Sequence, residues 1–146
     1  MRSSSNAVVK HNSKFAKAKH DSSEVIMGNL PVNDFPAKVL FDTSALHCFI
    51  SRPCTNRHEL VSQVLPSPLA VVSPGKRMQA NSIVLDVSIT LGDYKFLASP
   101  TVLGDSDIDL ILGMDWLSKH KAHLDCAARQ IQLTHSSEDV IVFAAH

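Results

Sequence analysis

The sequence predicts an all-β domain of the sandwich or barrel type, with one or two short helices. Two observations predict it. Ile83, Leu85, Val87, Ile89 and Leu91 alternate with Val84, Asp86, Ser88 and Thr90, the period-two pattern of a strand with one buried face. Short apolar runs also recur along the chain, separated by turn signals about every eight to twelve residues. No repeat of sequence relates the two halves.

The elements follow in order from Glu24. Val25-Ile26-Met27 opens a strand, Asn33-Asp34 is a turn signal, and Ala37 to Phe41 returns as a second strand. Cys48-Phe49-Ile50 is a further short strand. Ser51 followed by Pro53 predicts a helix start, with Ser as N-cap and Pro in the first turn, running to about Leu60. Leu69 to Val72 is a strand that ends in the turn Ser73-Pro74-Gly75-Lys76. The alternating run from Ile83 to Leu91 turns at Gly92-Asp93, and Tyr94, Phe96 and Ala98 continue the alternation on the way back. Gly104 to Asp107 is a loop. Ile108 to Leu112 is nearly all apolar, which predicts a strand buried on both faces. Gly113 breaks it, and Asp115 to His120 forms one or two helical turns with Trp116 and Leu117 facing the core. Ile131 and Leu133, then Val140 to Phe143, flank the polar turn Ser136 to Asp139 as a last hairpin.

The chain has 146 residues and a formal net charge of zero, which suits one domain with a real core and argues against a whole-chain nucleic-acid binder. Residues 1–23 carry Arg2, Lys10, Lys14, Lys17 and Lys19 against Asp21 alone, so they read as a basic disordered tail or linker, with 24–146 as the folded domain. Nucleic-acid contact is expected to be no more than weak and confined to that tail. No apolar stretch approaches the roughly 20 residues that span a membrane, and the first residues lack the apolar core of a secretory signal. Cys48, Cys54 and Cys126 are odd in number and unpaired in spacing, which fits a reducing compartment.

Several chemical motifs fail on inspection. Asp105-x-Asp107-x-Asp109 opens like a calcium loop, but Leu110 and Trp116 stand where glycine and a bidentate glutamate are required, leaving a solvated acidic turn. His120-x-x-His123-x-x-Cys126 lacks a fourth ligand, so these read as surface histidines; no metal and no cofactor is expected. There is no G-x-S-x-G elbow, no glycine-rich phosphate loop, and no electropositive cluster around Cys48. Asp42 remains. It ends the apolar run Lys38-Val39-Leu40-Phe41, where a charge is costly unless something uses it, and small hydroxylated residues follow. Taken alone, it reads equally as a turn aspartate.

A second unit sharpens the reading. Val39-Leu40-Phe41-Asp42-Thr43-Ser44-Ala45-Leu46-His47-Cys48-Phe49-Ile50-Ser51, followed by Asp109-Leu110-Ile111-Leu112-Gly113-Met114-Asp115-Trp116-Leu117, resembles the retropepsin-like aspartic protease domain of Ty3/gypsy-type retrotransposon polyproteins. The resemblance covers roughly Glu24 to Leu133. It implies a closed β-barrel with one lobe per chain, working as a two-fold homodimer. It implies Asp42 as the catalytic residue, with Thr43, Ser44 and Ala45 supporting the active loop and Thr43 bonding across the dimer axis. Ile111, Leu112 and Gly113 would support that loop from below, and Ser73, Pro74, Gly75 and Lys76 would form the flap tip. The implied partners are a second copy and a peptide or polyprotein substrate, in the cytoplasm or a retroelement particle. The homodimer also follows from chemistry: hydrolysis by carboxylates uses two that share a proton, and the chain holds one such Asp unit. Two positions depart from the family pattern. Ser44 replaces the glycine and Leu46 replaces a Ser or Thr. Ser44 is expected to block the water, to open the dimer, or to be accommodated at lower activity; a catalytically silent dimerisation or peptide-binding module is the competing reading.

Overall fold

The computed structural model describes residues 24–73 and 76–145; the basic segment 1–23 lies outside them, as do Pro74, Gly75 and His146. The described residues begin with a long hairpin. β1 (Val25–Val32) and β2 (Phe35–Asp42) pair in antiparallel register from Val32↔Phe35 to Val25↔Asp42. The loop is two residues, Asn33 and Asp34, both with positive φ (49° and 71°). That turn matches the right-handed twist of the strands, and Asn and Asp accept it more readily than other side chains. Asn33 also ties the hairpin tip to the next sheet segment, exchanging backbone and side-chain bonds with Ser88.

β3 (Phe49–Ser51) leads straight into α1 (Arg52–Arg57), where Ser51 Oγ accepts the amide of Cys54 at 3.1 Å, the expected cap. The hairpin of β4 (Gln63–Ser73) and β5 (Lys76–Ile83) is longer than its apolar run suggests. Pro66 and Pro68 concealed its first half, because prolines argue against a central strand. Here they sit in an edge strand, beside a register shift between Val64 and Leu69.

β6 (Val87–Leu91) and β7 (Tyr94–Ala98) form the next hairpin around Gly92, whose φ is 61°. The alternation expected to run unbroken from Ile83 to Leu91 does not. β5 stops at Ile83, Val84 is buried, Leu85 is exposed, and Asp86 takes φ 56°. Val84 donates to Pro100 O and the Asp86 amide to Ser99 Oγ, so the chain turns a corner against the end of β7 before regaining its period.

β8 (Thr101–Leu103) runs parallel to β3 and was not foreseen, since three residues carry no period. β9 (Leu110–Leu112) is shorter than expected: Ile108 lies outside it, and Ile111 stays partly exposed while Leu110 and Leu112 are fully buried. Its apolar character reflects a central place between β2 and β3 rather than burial on both faces. α2 (Met114–Lys119) follows, then β10 (His123–Asp125), β11 (Gln130–Thr134) and β12 (Val140–Ala144).

Among the described residues, nine strands form one sheet in the order β4-β5-β8-β3-β9-β2-β1-β6-β7, and β10-β11-β12 form a second. Their inner faces share one core that includes Phe41, Ile50, Ile89, Leu91, Phe96, Leu110, Leu112, Ile131 and Leu133. Among the described residues the domain is mostly β, with two short helices. Among the described residues no helix is long and apolar enough to cross a membrane.

Candidate active site

Asp42 is the last residue of β2, and the strand's surroundings explain its position. Phe41, just before it, is fully buried and pairs with Leu112 of β9 in parallel register. The apolar strand is held between β1 and β9 and delivers the carboxylate, half-buried, at the sheet's end. The chain then turns, with the Ala45 amide donating to Asp42 O at 3.3 Å.

Inside that turn both donors of Ser44 point back. Its amide lies 2.9 Å and its hydroxyl 2.7 Å from Asp42 Oδ1. Thr43 is engaged on the other side. Its amide donates to Glu24 O, its hydroxyl donates to the same oxygen, and Oγ1 accepts the Glu24 amide at 2.9 Å. The cross-axis role implied for Thr43 by resemblance meets a hydroxyl already bonded within its own chain.

The loop is clamped from β9 and α2. The amides of Met114 and Asp115 donate to Ala45 O (2.7 Å) and Leu46 O (3.1 Å). Gly113, the N-cap of α2, lies so close that a β-carbon there would fall 2.4 Å from His47 O and 2.6 Å from Ala45 O. Its φ of −99° is open to any residue, so it is the close approach that requires glycine. Ala45 is thus brought against Gly113, while Ile111 and Leu112 pair with Leu40 and Phe41, the two residues before Asp42. Of the expected flap residues, Ser73 and Lys76 form the last rung of the β4–β5 hairpin, and Pro74 and Gly75 lie outside the described residues.

Two acidic residues hold the site together in ways the sequence did not reveal. Asp115 accepts the thiol of Cys48 at 3.2 Å and the Trp116 amide, and lies 3.8 Å from His47 Nδ1. Asp109 is half-buried, not part of a solvated turn. It accepts the Lys38 amide at 2.8 Å and pairs with Arg57 at 3.2 Å, joining β2, β9 and α1. Both bonds span 52 residues or more of sequence, which local pattern cannot signal.

Two of the three thiols, Cys48 and Cys54, are buried. Burial pushes Cys48 up to about 12, and the hydrogen bond and charge of Asp115 add to this against the opposing Gly113 and Trp116 amides. Burial, then the Asp109 charge, raises Cys54. His120, expected at the surface, is instead 8% exposed. It packs on Trp116 (4.6 Å between ring centroids) and edge-on to Phe96 (5.0 Å), because β11 folds back over the end of α2 and the Thr134 amide bonds His120 O. Burial holds its imidazole below the ordinary histidine range, with the Lys119 charge adding to the shift. Among the described residues no cluster of three His, Cys, Asp or Glu side chains is arranged to hold a metal.

The model of the retroviral aspartyl protease family matches residues 5–139 of the chain. Among solved structures, the retroviral protease-like domain of Ddi1 from Leishmania major is similar, with a TM-score of 0.58 at 18% identity, covering 80% of this chain and 91% of that one. The EIAV protease in complex with the inhibitor HBY-793 is similar with a TM-score of 0.53 at 22% identity, covering 74% of this chain and 99% of that one. At these identities the structural likeness concerns the fold. No curated protein matches the chain.

Proposed function

This chain belongs to the retroviral aspartyl protease family, and on that premise we propose that it is an aspartic endopeptidase of retrotransposon origin, acting as a homodimer on a polyprotein. The observation that carries the reading is Asp42 itself. It stands half-buried at the end of a core strand, with Oδ1 tied by Ser44 and Oδ2 receiving no donor among the described residues.

One carboxylate cannot both take a proton from water and give one to the substrate carbonyl in the same step. Two can, provided they share one proton, since like charges about 3 Å apart cannot both ionise. A two-fold axis at the end of β2 supplies the second Asp42 from a second copy. One Asp42 then takes a proton from water as its oxygen attacks the carbonyl carbon, and the other gives its proton to the carbonyl oxygen. Collapse of the resulting diol returns a proton to the departing amine as the C–N bond breaks. The dyad titrates as a pair. A recess of about 200 Å³ lined by Thr43, Glu24, Met114 and Leu117 offers a neighbouring copy a surface beside the axis. The β4–β5 hairpin, with half-buried Leu69, Val71 and Met78, is suited to cover a bound peptide and exclude water.

The engaged Thr43 hydroxyl favours a second reading, a catalytically silent member that binds peptide or a second copy. One experiment separates the two. The full chain is incubated with peptide and denatured-protein substrates at mildly acid pH, with and without pepstatin, beside Asp42→Asn. Cleavage that pepstatin blocks and that falls about 100-fold or more in the variant supports the peptidase. Absence of cleavage in a chain shown to be dimeric refutes it.

A further inference from the structure

We propose that Ser44 is a positioning residue: its hydroxyl holds the Asp42 carboxylate in one orientation and leaves Oδ2 as the reacting oxygen. The inference rests on the peptidase reading above. Glycine at this position would offer Asp42 one donor, the backbone amide. Serine offers two, and both converge on the same oxygen, at 2.9 Å from the amide and 2.7 Å from Oγ.

Three features support a role beyond a filled gap. Ser44 is not among the residues with positive φ, so its β-carbon sits in the turn without backbone strain. Ser44 is exposed, so its hydroxyl has water as a ready alternative, and it bonds Asp42 nonetheless. A hydroxyl on a carboxylate oxygen makes one of the shorter and stronger hydrogen bonds. The third feature is rotation. The last torsion of an aspartate is soft and roughly two-fold, so a carboxylate held by one amide swivels and exchanges its oxygens. Two donors arriving at Oδ1 from different directions stop that exchange. Oδ2, which receives no donor from the described residues, is then left as the oxygen that would meet water and the second carboxylate in the proposed dyad. The substitution adds an anchor to the carboxylate.

The test uses the full chain with Ser44→Ala, which keeps the amide and removes the hydroxyl, and Ser44→Thr, which keeps both. Crystal structures of the parent and the two variants report the orientation of the Asp42 carboxylate whether or not the chain cleaves anything. One ordered carboxylate orientation in the parent and in Ser44→Thr, with alternate orientations in Ser44→Ala, is the expected result. In the cleavage assay Ser44→Ala is expected to lower kcat about three- to tenfold at unchanged KM, with Ser44→Thr restoring it. A carboxylate equally ordered in the same orientation in Ser44→Ala overturns the inference, as does a Ser44→Ala or Ser44→Gly chain that cleaves as fast as the parent. If Asp42→Asn cleaves as well as the parent, or the parent dimer cleaves nothing, the peptidase reading fails separately, and the crystal structures still decide what holds Asp42.

Discussion

Replacing Gly113 by alanine tests the clamp beneath the active loop. The new β-carbon would meet three backbone atoms at once: His47 O at 2.4 Å, Ala45 O at 2.6 Å and His47 C at 2.9 Å. Carbon–carbon contacts are optimal at about 3.5–4.0 Å, so the loop must retreat by most of an ångström. Backbone cannot give way as a side-chain end does. The retreat stretches the bonds from Met114 to Ala45 O (2.7 Å) and from Asp115 to Leu46 O (3.1 Å). Two such bonds contribute about 2 kcal/mol together, and overpacking adds about 1–3 kcal/mol, for a total of about 3–5 kcal/mol. Against a typical stability of about 5–15 kcal/mol this is a large fraction, and it lowers Tm by roughly 10 °C or more. Trp116 is the only tryptophan and is 3% exposed, so its fluorescence reports unfolding directly. Gly104→Ala is the matched control, since nothing lies within 4 Å of a β-carbon there. A Gly113→Ala Tm within about 2 °C of the parent would refute the reasoning, because it would mean that the loop and β9 are not in rigid contact.

Two further predictions concern titration and thiol chemistry. The unfolded chain protonates His120 near pH 6.5, and the folded chain resists doing so because the ring is buried. Its contribution to stability is therefore full above about pH 6.5 and falls as the pH drops below it, at up to about 1.4 kcal/mol per unit. Urea denaturation from pH 7.5 to 5 should show a shallower acid decline in His120→Phe than in the parent; equal slopes would assign the decline elsewhere. This loss occurs in the mildly acid range chosen above for the cleavage assay, so the fold's stability should be checked at the assay pH. In thiol labelling of the native chain at pH 8, exposed Cys126 should react first, with Cys48 and Cys54 reacting only as the fold opens. Early modification of Cys48 would contradict its bond to Asp115.

Much of this protein is written locally. The Asn33-Asp34 turn, the Ser51 cap, the period of Val87, Ile89 and Leu91, and the placement of Asp42 at the end of an apolar run each depend on residues within a few positions, so sequence alone determined them. The paired Asp42 and Gly113 units were also legible, because each is a short string of fixed chemistry. What only the tertiary structure decided are the contacts that chain proximity does not constrain. β2 and β9 lie side by side although Lys38 and Asp109 are 71 residues apart. β11 covers His120, which its helix position alone would leave in solvent. The corner at Val84 to Asp86 breaks a pattern that read as one strand, because Pro100 and Ser99 supply bonds from another element. The direction of the Ser44 hydroxyl belongs to the same class. Sequence shows that a serine follows Asp42 at the second position. Whether it crowds the carboxylate or holds it depends on a torsion, which the fold of the loop against Gly113 sets.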